Sequence, residues 1–430
     1  MKRLTAFLLA VLLMTAAALA EEISPVEQAA RTIVEDFVNG DYAAIVSMLS
    51  EDTQVSVGPE ALAAAWTAQI GNLGALVGAE YAEQQGFAVA LLTHENGRQQ
   101  LIVGLNETGE VQTLLLQPVP EASAAMERAL PEGTTAREVK LFEGTEMELG
   151  AEILVPAEDS GVYAVLIHGS GASDRDETVG ANKPFRDLAY DLAAQGVGSI
   201  RFDKITFAHP ELGAETVEDE YLGSVREALR VLRAETGASR TIAVGHSEGG
   251  MLMPWLVTEC GFDGGAALAG MPKKLWEISM EQNLAVLEGM SGEQRDALQA
   301  QIDAERQKGE NIGALGDSDT VFGMTVKYLR HMESLDEIAL ARAAEVPMLF
   351  LWGDADFQVS RADYEAWWEG LGDGGPFTYI EYAGLNHLFM TAQPGDGIAN
   401  AMEVYARAGQ VDSRVAADIA DWAMRFVAAE

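Results

Sequence analysis

The sequence predicts a small α+β domain at residues 23–118 followed by a larger α/β domain at 137–430, the latter a mostly parallel sheet with helices on both faces. Three observations lead there. Beyond residue 137, short apolar runs (YAVLIHG, VGSIRFD, RTIAVGH, GGAALAG, VPMLFLWG, FTYIEYAG) alternate with helical stretches. Strands apolar on both faces belong to parallel sheets covered on both sides. Before residue 118, helices come first and a meander of strands follows; Pro118, Pro120, Pro131 and Gly133 then punctuate a linker over 119–136.

The elements follow in chain order. Lys2 and Arg3 precede the apolar stretch LTAFLLAVLLM, and Ala18-Leu19-Ala20 leads into Glu21. A basic start, a short apolar core and an A-x-A site mark residues 1–20 as a signal peptide cut after Ala20. No later run approaches a membrane span, so the mature chain is expected to be exported with no anchor. Its final destination, periplasm, wall or medium, is left open, as is its oligomeric state.

Ser24-Pro25-Val26-Glu27 starts a helix with a cap and a capping-box glutamate, and Asn39-Gly40 ends it. Shorter helices are expected over 41–49 and 59–70. FAVALLTHE and RQQLIVGLN flank Asn96-Gly97, a hairpin signal, before VQTLLLQP. His94, beside that turn, reads as a surface histidine.

In the larger domain REVKLFEG and EMELGAEILVP form an antiparallel pair ahead of the parallel strands. Helices are expected over 184–194, 216–234, 249–258 and 412–429. Residues 271–345 interrupt the alternation with a largely helical insertion, read as a cap over a pocket.

The formal net charge is −39, and loss of Lys2 and Arg3 with the leader makes it two units more negative. Such a surface repels nucleic acid and anionic lipid. Cys260 is the one cysteine, so the fold has no internal disulfide and no Cys₂-type zinc site. Asp174-Arg175-Asp176-Glu177 reads as rim ion pairs, with no metal and no cofactor expected; Arg175 and Lys183 are candidates to line a pocket.

The chemistry centres on GHSEGG. Gly245-His246-Ser247-Glu248-Gly249 fits G-x-S-x-G, directly after strand TIAV and directly before a helix, a turn that projects the serine hydroxyl into a pocket. A serine needs a base, and of the histidines beyond it, His331 falls in the insertion while His387 follows the last strand. The orienting acid is expected after VPMLFLWG, at Asp356 with Asp354 the alternative. The order Ser…Asp…His is thereby met. Gly169 and Ser170 follow the third strand of this domain. The Ser170 N–H, with that of Glu248, is placed to hold a tetrahedral oxyanion. His168 and His246 read as structural, though His246 and Gly169 are also candidate pocket residues.

With these residues in place, the chain from Arg137 to Glu430 resembles the bacterial α/β-hydrolase superfamily, near its esterase and dienelactone-hydrolase-like branches. The segments HGSGASDRDE, NKPFRDLA, GHSEGGML, WGDADFQV and GLNHLF carry the likeness. The resemblance implies the α/β-hydrolase fold with an eight-stranded sheet, a triad of Ser247, His387 and Asp356, and hydrolysis of esters. It departs at Glu248, where a small or apolar residue is commoner. The expected substrate is a small or medium acyl ester. Peptide hydrolysis and acyl transfer use the same triad. An exported binding protein on a relic of the fold is the non-catalytic alternative, which the intact triad opposes.

Overall fold

The computed structural model describes residues 23–427 apart from 55–56, 85–86, 107, 120–124, 289 and 373. The expected leader and part of the expected linker lie outside the described residues. The described residues divide into two compact units: those before 120 with 283–310 and 320–324, and those over 125–282, 311–319 and 325–427.

In the first unit α1 (Pro25–Asn39) begins where the Ser24 hydroxyl accepts the Glu27 N–H, and ends at Gly40 in the left-handed region. The Glu27 carboxylate turns to Arg31, at 2.8 Å, instead of closing the capping box. Three further helices, α2 (Tyr42–Met48), α3 (Glu51–Gln54) and α4 (Pro59–Leu73), precede four strands. These are β1 (Leu76–Gln84), β2 (Phe87–His94), β3 (Gly97–Leu105) and β4 (Val111–Val119), an antiparallel meander in that order. Ile33, Val34 and Phe37 of α1 bury against Ala88, Ala90, Leu92, Leu101 and Val103. Phe37 stacks on Trp66 at 4.7 Å.

His94 is not on the surface. It is buried, with Nδ1 3.0 Å from the Gly74 carbonyl and Nε2 2.7 Å from the Gln99 side chain. The two-residue period of β2 puts it on the same face as Ala88, Ala90 and Leu92, which is the core face.

The second unit holds an eight-stranded sheet. Its strands are β5 (Thr135–Leu141), β6 (Leu149–Val155), β7 (Val162–Ile167), β8 (Gly198–Phe202), β9 (Arg240–His246) and β10 (Gly264–Leu268). After the short pair β11 (Thr320–Val321) and β12 (Met324–Thr325) come β13 (Met348–Gly353) and β14 (Phe377–Tyr382). The order is β14-β13-β10-β9-β7-β8-β6-β5. β5 and β6 are antiparallel and β6 meets β8 antiparallel; every other pairing is parallel. β7 is buried along its whole length, with Tyr163, Val165 and Ile167 in a core shared with α7 and α8 residues.

The helices of this stretch are α5 (Pro184–Ala194), α6 (Ile205–Ala208), α7 (Gly223–Thr236) and α8 (Glu248–Cys260). A π-helical turn, Glu218–Leu222, runs directly into α7. The insertion is helical as expected: α9 (Leu275–Leu287), α10 (Gly292–Glu310), α11 (Val326–Glu333) and α12 (Glu337–Ala344). It is not one body, because 283–310 and 320–324 group with the first unit and the remainder with the second. The chain finishes with α13 (Arg361–Leu371), α14 (Ala401–Ala406) and α15 (Ser413–Trp422), which packs against α5. Among the described residues no helix is long and apolar enough to cross a membrane.

Candidate active site

Four loops leave the carboxyl ends of parallel strands β7, β9, β13 and β14, the edge at which open α/β sheets place their ligands. They carry Gly169-Ser170, Ser247, Asp356 and His387 respectively.

Ser247 joins β9 to α8 with φ 52° and ψ −117°, a conformation rare for any residue but glycine. It persists because its surroundings fix it. The Ser247 N–H donates to the Leu268 carbonyl at 2.8 Å, and its own carbonyl accepts from Met251 at 2.9 Å. The flanking glycines are demanded by close approach of backbone. A Cβ at Gly245 would sit 2.1 Å from the Gly249 carbonyl oxygen; one at Gly249 would sit 2.4 Å from that of Ile167 and 2.5 Å from that of His168. Gly249→Ala is therefore expected to destabilise the protein by about 3 kcal/mol, since the backbone at the end of β7 cannot yield as a flexible side chain would. Urea unfolding of the variant checks this, and an unchanged midpoint would mean the elbow is looser than it looks.

His387 Nδ1 donates to Asp356 Oδ2 at 2.7 Å, and the Asp356 side chain is fully buried. The other oxygen of Asp356 accepts the N–H groups of Gln358 (2.7 Å) and Val359 (3.0 Å). Asp354, the alternative acid, faces elsewhere: its Oδ1 accepts the Gly384 N–H. The two loops are locked to each other, for a Cβ on Gly353 would meet the Leu385 carbonyl oxygen at 2.2 Å. Asn386 braces the His387 loop by accepting the N–H groups of Leu388 and Met390, both at 3.1 Å.

His246, the neighbour of Ser247, ties the elbow to the His387 loop. Its Nε2 donates to the His387 carbonyl at 2.9 Å, and the two rings lie 4.8 Å apart. Its Nδ1 lies 3.0 Å from Glu177 Oε2. Burial opposes a charge on this ring, but the Glu177 carboxylate and the His387 carbonyl outweigh it and raise the pKa. Glu177 is held below its ordinary value, burial again being outweighed by His246. The ring and the carboxylate thus sit in close buried contact directly behind the serine, each favouring the charged form of the other.

Gly169 lies against Ser247, since a Cβ on it would come within 3.0 Å of Ser247 Cβ. Its N–H donates to Glu177 Oε1 at 2.7 Å. His168 is structural: its Nε2 meets the Asp174 carbonyl at 3.0 Å, and burial pushes its pKa down to about 4. A serine between strand and helix and a carboxylate-oriented imidazole on the loop after β14 are the groups a nucleophile and its base would require.

Residues 164–401 match the alpha/beta hydrolase family. The chain belongs to that family. It is 27% identical over 409 residues to the esterase EstD of Thermotoga maritima, covering 93% of this chain and 95% of that one. Among solved structures it is similar to an esterase of Pyrococcus furiosus, with a TM-score of 0.43 and 10% identity over 71% of this chain and 97% of that one. A dienelactone hydrolase from Anabaena variabilis gives a TM-score of 0.41 and 15% identity over 69% of this chain and 100% of that one.

Two candidate pocket residues of this α/β-hydrolase are engaged by carboxylates. Arg175 bonds Glu138 at 2.6 Å and lies 3.7 Å from Asp203, and Lys183 bonds Asp176 at 2.9 Å. Among the described residues no His, Cys, Asp and Glu group is placed to hold a metal ion.

The departure at Glu248 has a structural counterpart. Its side chain is buried and accepts from Tyr328 of α11 at 2.7 Å, while the same Tyr328 hydroxyl lies 2.6 Å from Glu220. One phenolic proton cannot be donated to both carboxylates at once, so the two compete for it. Burial first, and then the Glu220 charge, push Glu248 up to about 7. A carboxyl raised from 4.5 binds its proton more tightly folded than unfolded. Its stabilisation is therefore full below about pH 4.5 and lost as the pH rises to about 7. Glu248→Gln is expected to flatten that part of the stability–pH curve, measured by thermal unfolding between pH 4.5 and 7.5.

Proposed function

We propose that the protein is an exported carboxylic ester hydrolase, acting on small to medium acyl esters through Ser247, His387 and Asp356. The observation that carries the reading is the 2.7 Å hydrogen bond from His387 to the buried Asp356, on loops beside a strained Ser247. Likeness to a relative named as an esterase, along nearly the whole chain, supports it.

The chemistry follows from the groups. With Nδ1–H committed to Asp356, the His387 Nε2 lone pair is left to take a proton. Ser247 Oγ attacks the acyl carbonyl as His387 removes its proton; the carbonyl π electrons move to oxygen. The N–H groups of Ser170 and Glu248 receive that oxyanion, with the dipole of α8 behind them. The intermediate collapses, the C–O bond to the alcohol breaks, and His387 returns the proton to the leaving oxygen. Water then repeats the sequence on the acyl-enzyme, releasing the acid. The buried His246–Glu177 pair holds the elbow and the His387 loop at a fixed separation.

Both parts of the reading are tested on one preparation. Protein recovered from periplasm or medium is expected to begin at Glu21 by mass. It is expected to cleave short acyl esters faster than aminoacyl amides, and the reverse preference would sink the ester assignment.

A further inference from the structure

The mechanism leaves a buried cation next to the Gly169 peptide unexplained. Lys204 follows β8, where a lysine is expected at the surface, yet it is 2% exposed. Its Nζ donates to the Gly169 carbonyl at 2.8 Å and is 2.8 Å from the Tyr221 hydroxyl. That hydroxyl also donates to the Gly169 carbonyl, at 3.0 Å. Two buried donors, one of them charged, thus converge on one carbonyl oxygen.

That carbonyl belongs to the peptide linking Gly169 to Ser170. In a trans peptide the C=O and the following N–H lie in one plane and point in opposite directions, and no cis bond occurs among the described residues. Fixing the Gly169 oxygen therefore fixes the Ser170 N–H. A cation at the oxygen also draws electron density along the amide, which strengthens the N–H as a donor.

We propose that Lys204 and Tyr221 are positioning residues for the oxyanion site, orienting and polarising the Gly169–Ser170 peptide from its carbonyl end. The inference rests on the ester-hydrolase reading. A buried ammonium is costly unless paired, and Glu220 pairs with it at 2.7 Å. Glu220 in turn contacts the Tyr328 hydroxyl, which bonds the side chain of Glu248. A single run of polar groups thereby leads from the Gly169 carbonyl through Lys204, Glu220 and Tyr328 to the side chain of Glu248, the residue whose N–H is the second oxyanion donor. Glu177 grips the Gly169 N–H from the other side. Donors held in place before reaction need no reorganisation when the negative charge forms.

The test compares Tyr221→Phe and the double variant Lys204→Met/Glu220→Gln with wild type, in the full mature chain. The double change removes both charges, so no carboxylate is stranded; Tyr221→Phe deletes a single hydroxyl and carries the test alone if the double variant does not fold. Steady-state kinetics on a p-nitrophenyl ester are set beside the affinity of an alkyl boronic acid, which forms a tetrahedral adduct on serine. We expect kcat to fall about 10-fold in Tyr221→Phe and about 100-fold in the double variant, with KM little changed, because removing an oxyanion donor outright costs 10²–10³. Boronate affinity should fall by the same factors as kcat/KM. A fold-only role would leave the folded fraction's kcat and boronate affinity intact, and that result overturns the proposal, as does lower kcat with unchanged boronate affinity. A wild type that turns over no ester overturns the ester-hydrolase reading and this one with it. An active wild type with unimpaired variants overturns this one alone.

Discussion

Ser247→Ala is expected to lower kcat on the order of 10⁶-fold, about 8 kcal/mol of transition-state stabilisation. On the proposed mechanism the size follows from the loss of the atom that would form the acyl-enzyme, leaving substrate binding and the oxyanion donors. His387→Ala should cost nearly as much, and the double variant hardly more than either single, since base and nucleophile act as one unit. The structural penalty should be small, because the Ser247 backbone is held by Leu268 and Met251 and not by its side chain. Alanine keeps the Cβ that the strained φ of 52° already accommodates. The direct check is intact-mass analysis after a fluorophosphonate probe: one adduct on wild type and none on Ser247→Ala. An adduct that persists in the variant would place the reactive group elsewhere.

What was legible in the sequence was whatever depends on near neighbours. The apolar runs of β7, β9, β10 and β13 are buried along nearly their entire length, so no alternation masks them. The elbow was legible because both of its glycines answer to backbone within a few residues or on the next strand. The loop positions of Asp356 and His387 were legible because each follows an apolar strand. The missed features depend on distant partners. β1 is an edge strand with Val77 exposed and glutamates at 80 and 83, so neither face stands out as apolar. His94 reads as a surface histidine because it stands beside the turn, whereas the strand continues through it and the two-residue period carries it onto the core face. Lys204 directly follows β8, and nothing beside it in the sequence marks its role. Its partners Gly169, Glu220 and Tyr221 lie 16 to 35 positions away, and Tyr328 meets Glu248 across 80. The insertion was assigned to its sequence neighbours, whereas packing divides it between the two units.

Asp356→Asn is expected to lower kcat about 10⁴-fold, roughly 5.5 kcal/mol, while leaving KM and the fold nearly unchanged. The reason lies in what each carboxylate oxygen does. Oδ1 accepts two backbone N–H groups, from Gln358 and Val359, and Oδ2 accepts from His387. An amide has one acceptor oxygen. If that oxygen keeps the backbone pair, the NH₂ group faces His387 Nδ1, which must then give up its proton. The remaining proton moves to Nε2, where it blocks the lone pair that has to receive the serine proton. If the amide flips instead, two backbone donors confront an NH₂ group in a fully buried site, at a cost of about 1–3 kcal/mol for each unsatisfied group. The first arrangement is therefore the one adopted, and the protein folds with the wrong tautomer. Asp354→Asn is the matched control, because Asp354 accepts from Gly384 and not from His387. It should spare turnover. Kinetics of the two variants side by side decide the acid: an equal loss in both, or a larger one at 354, would reassign it.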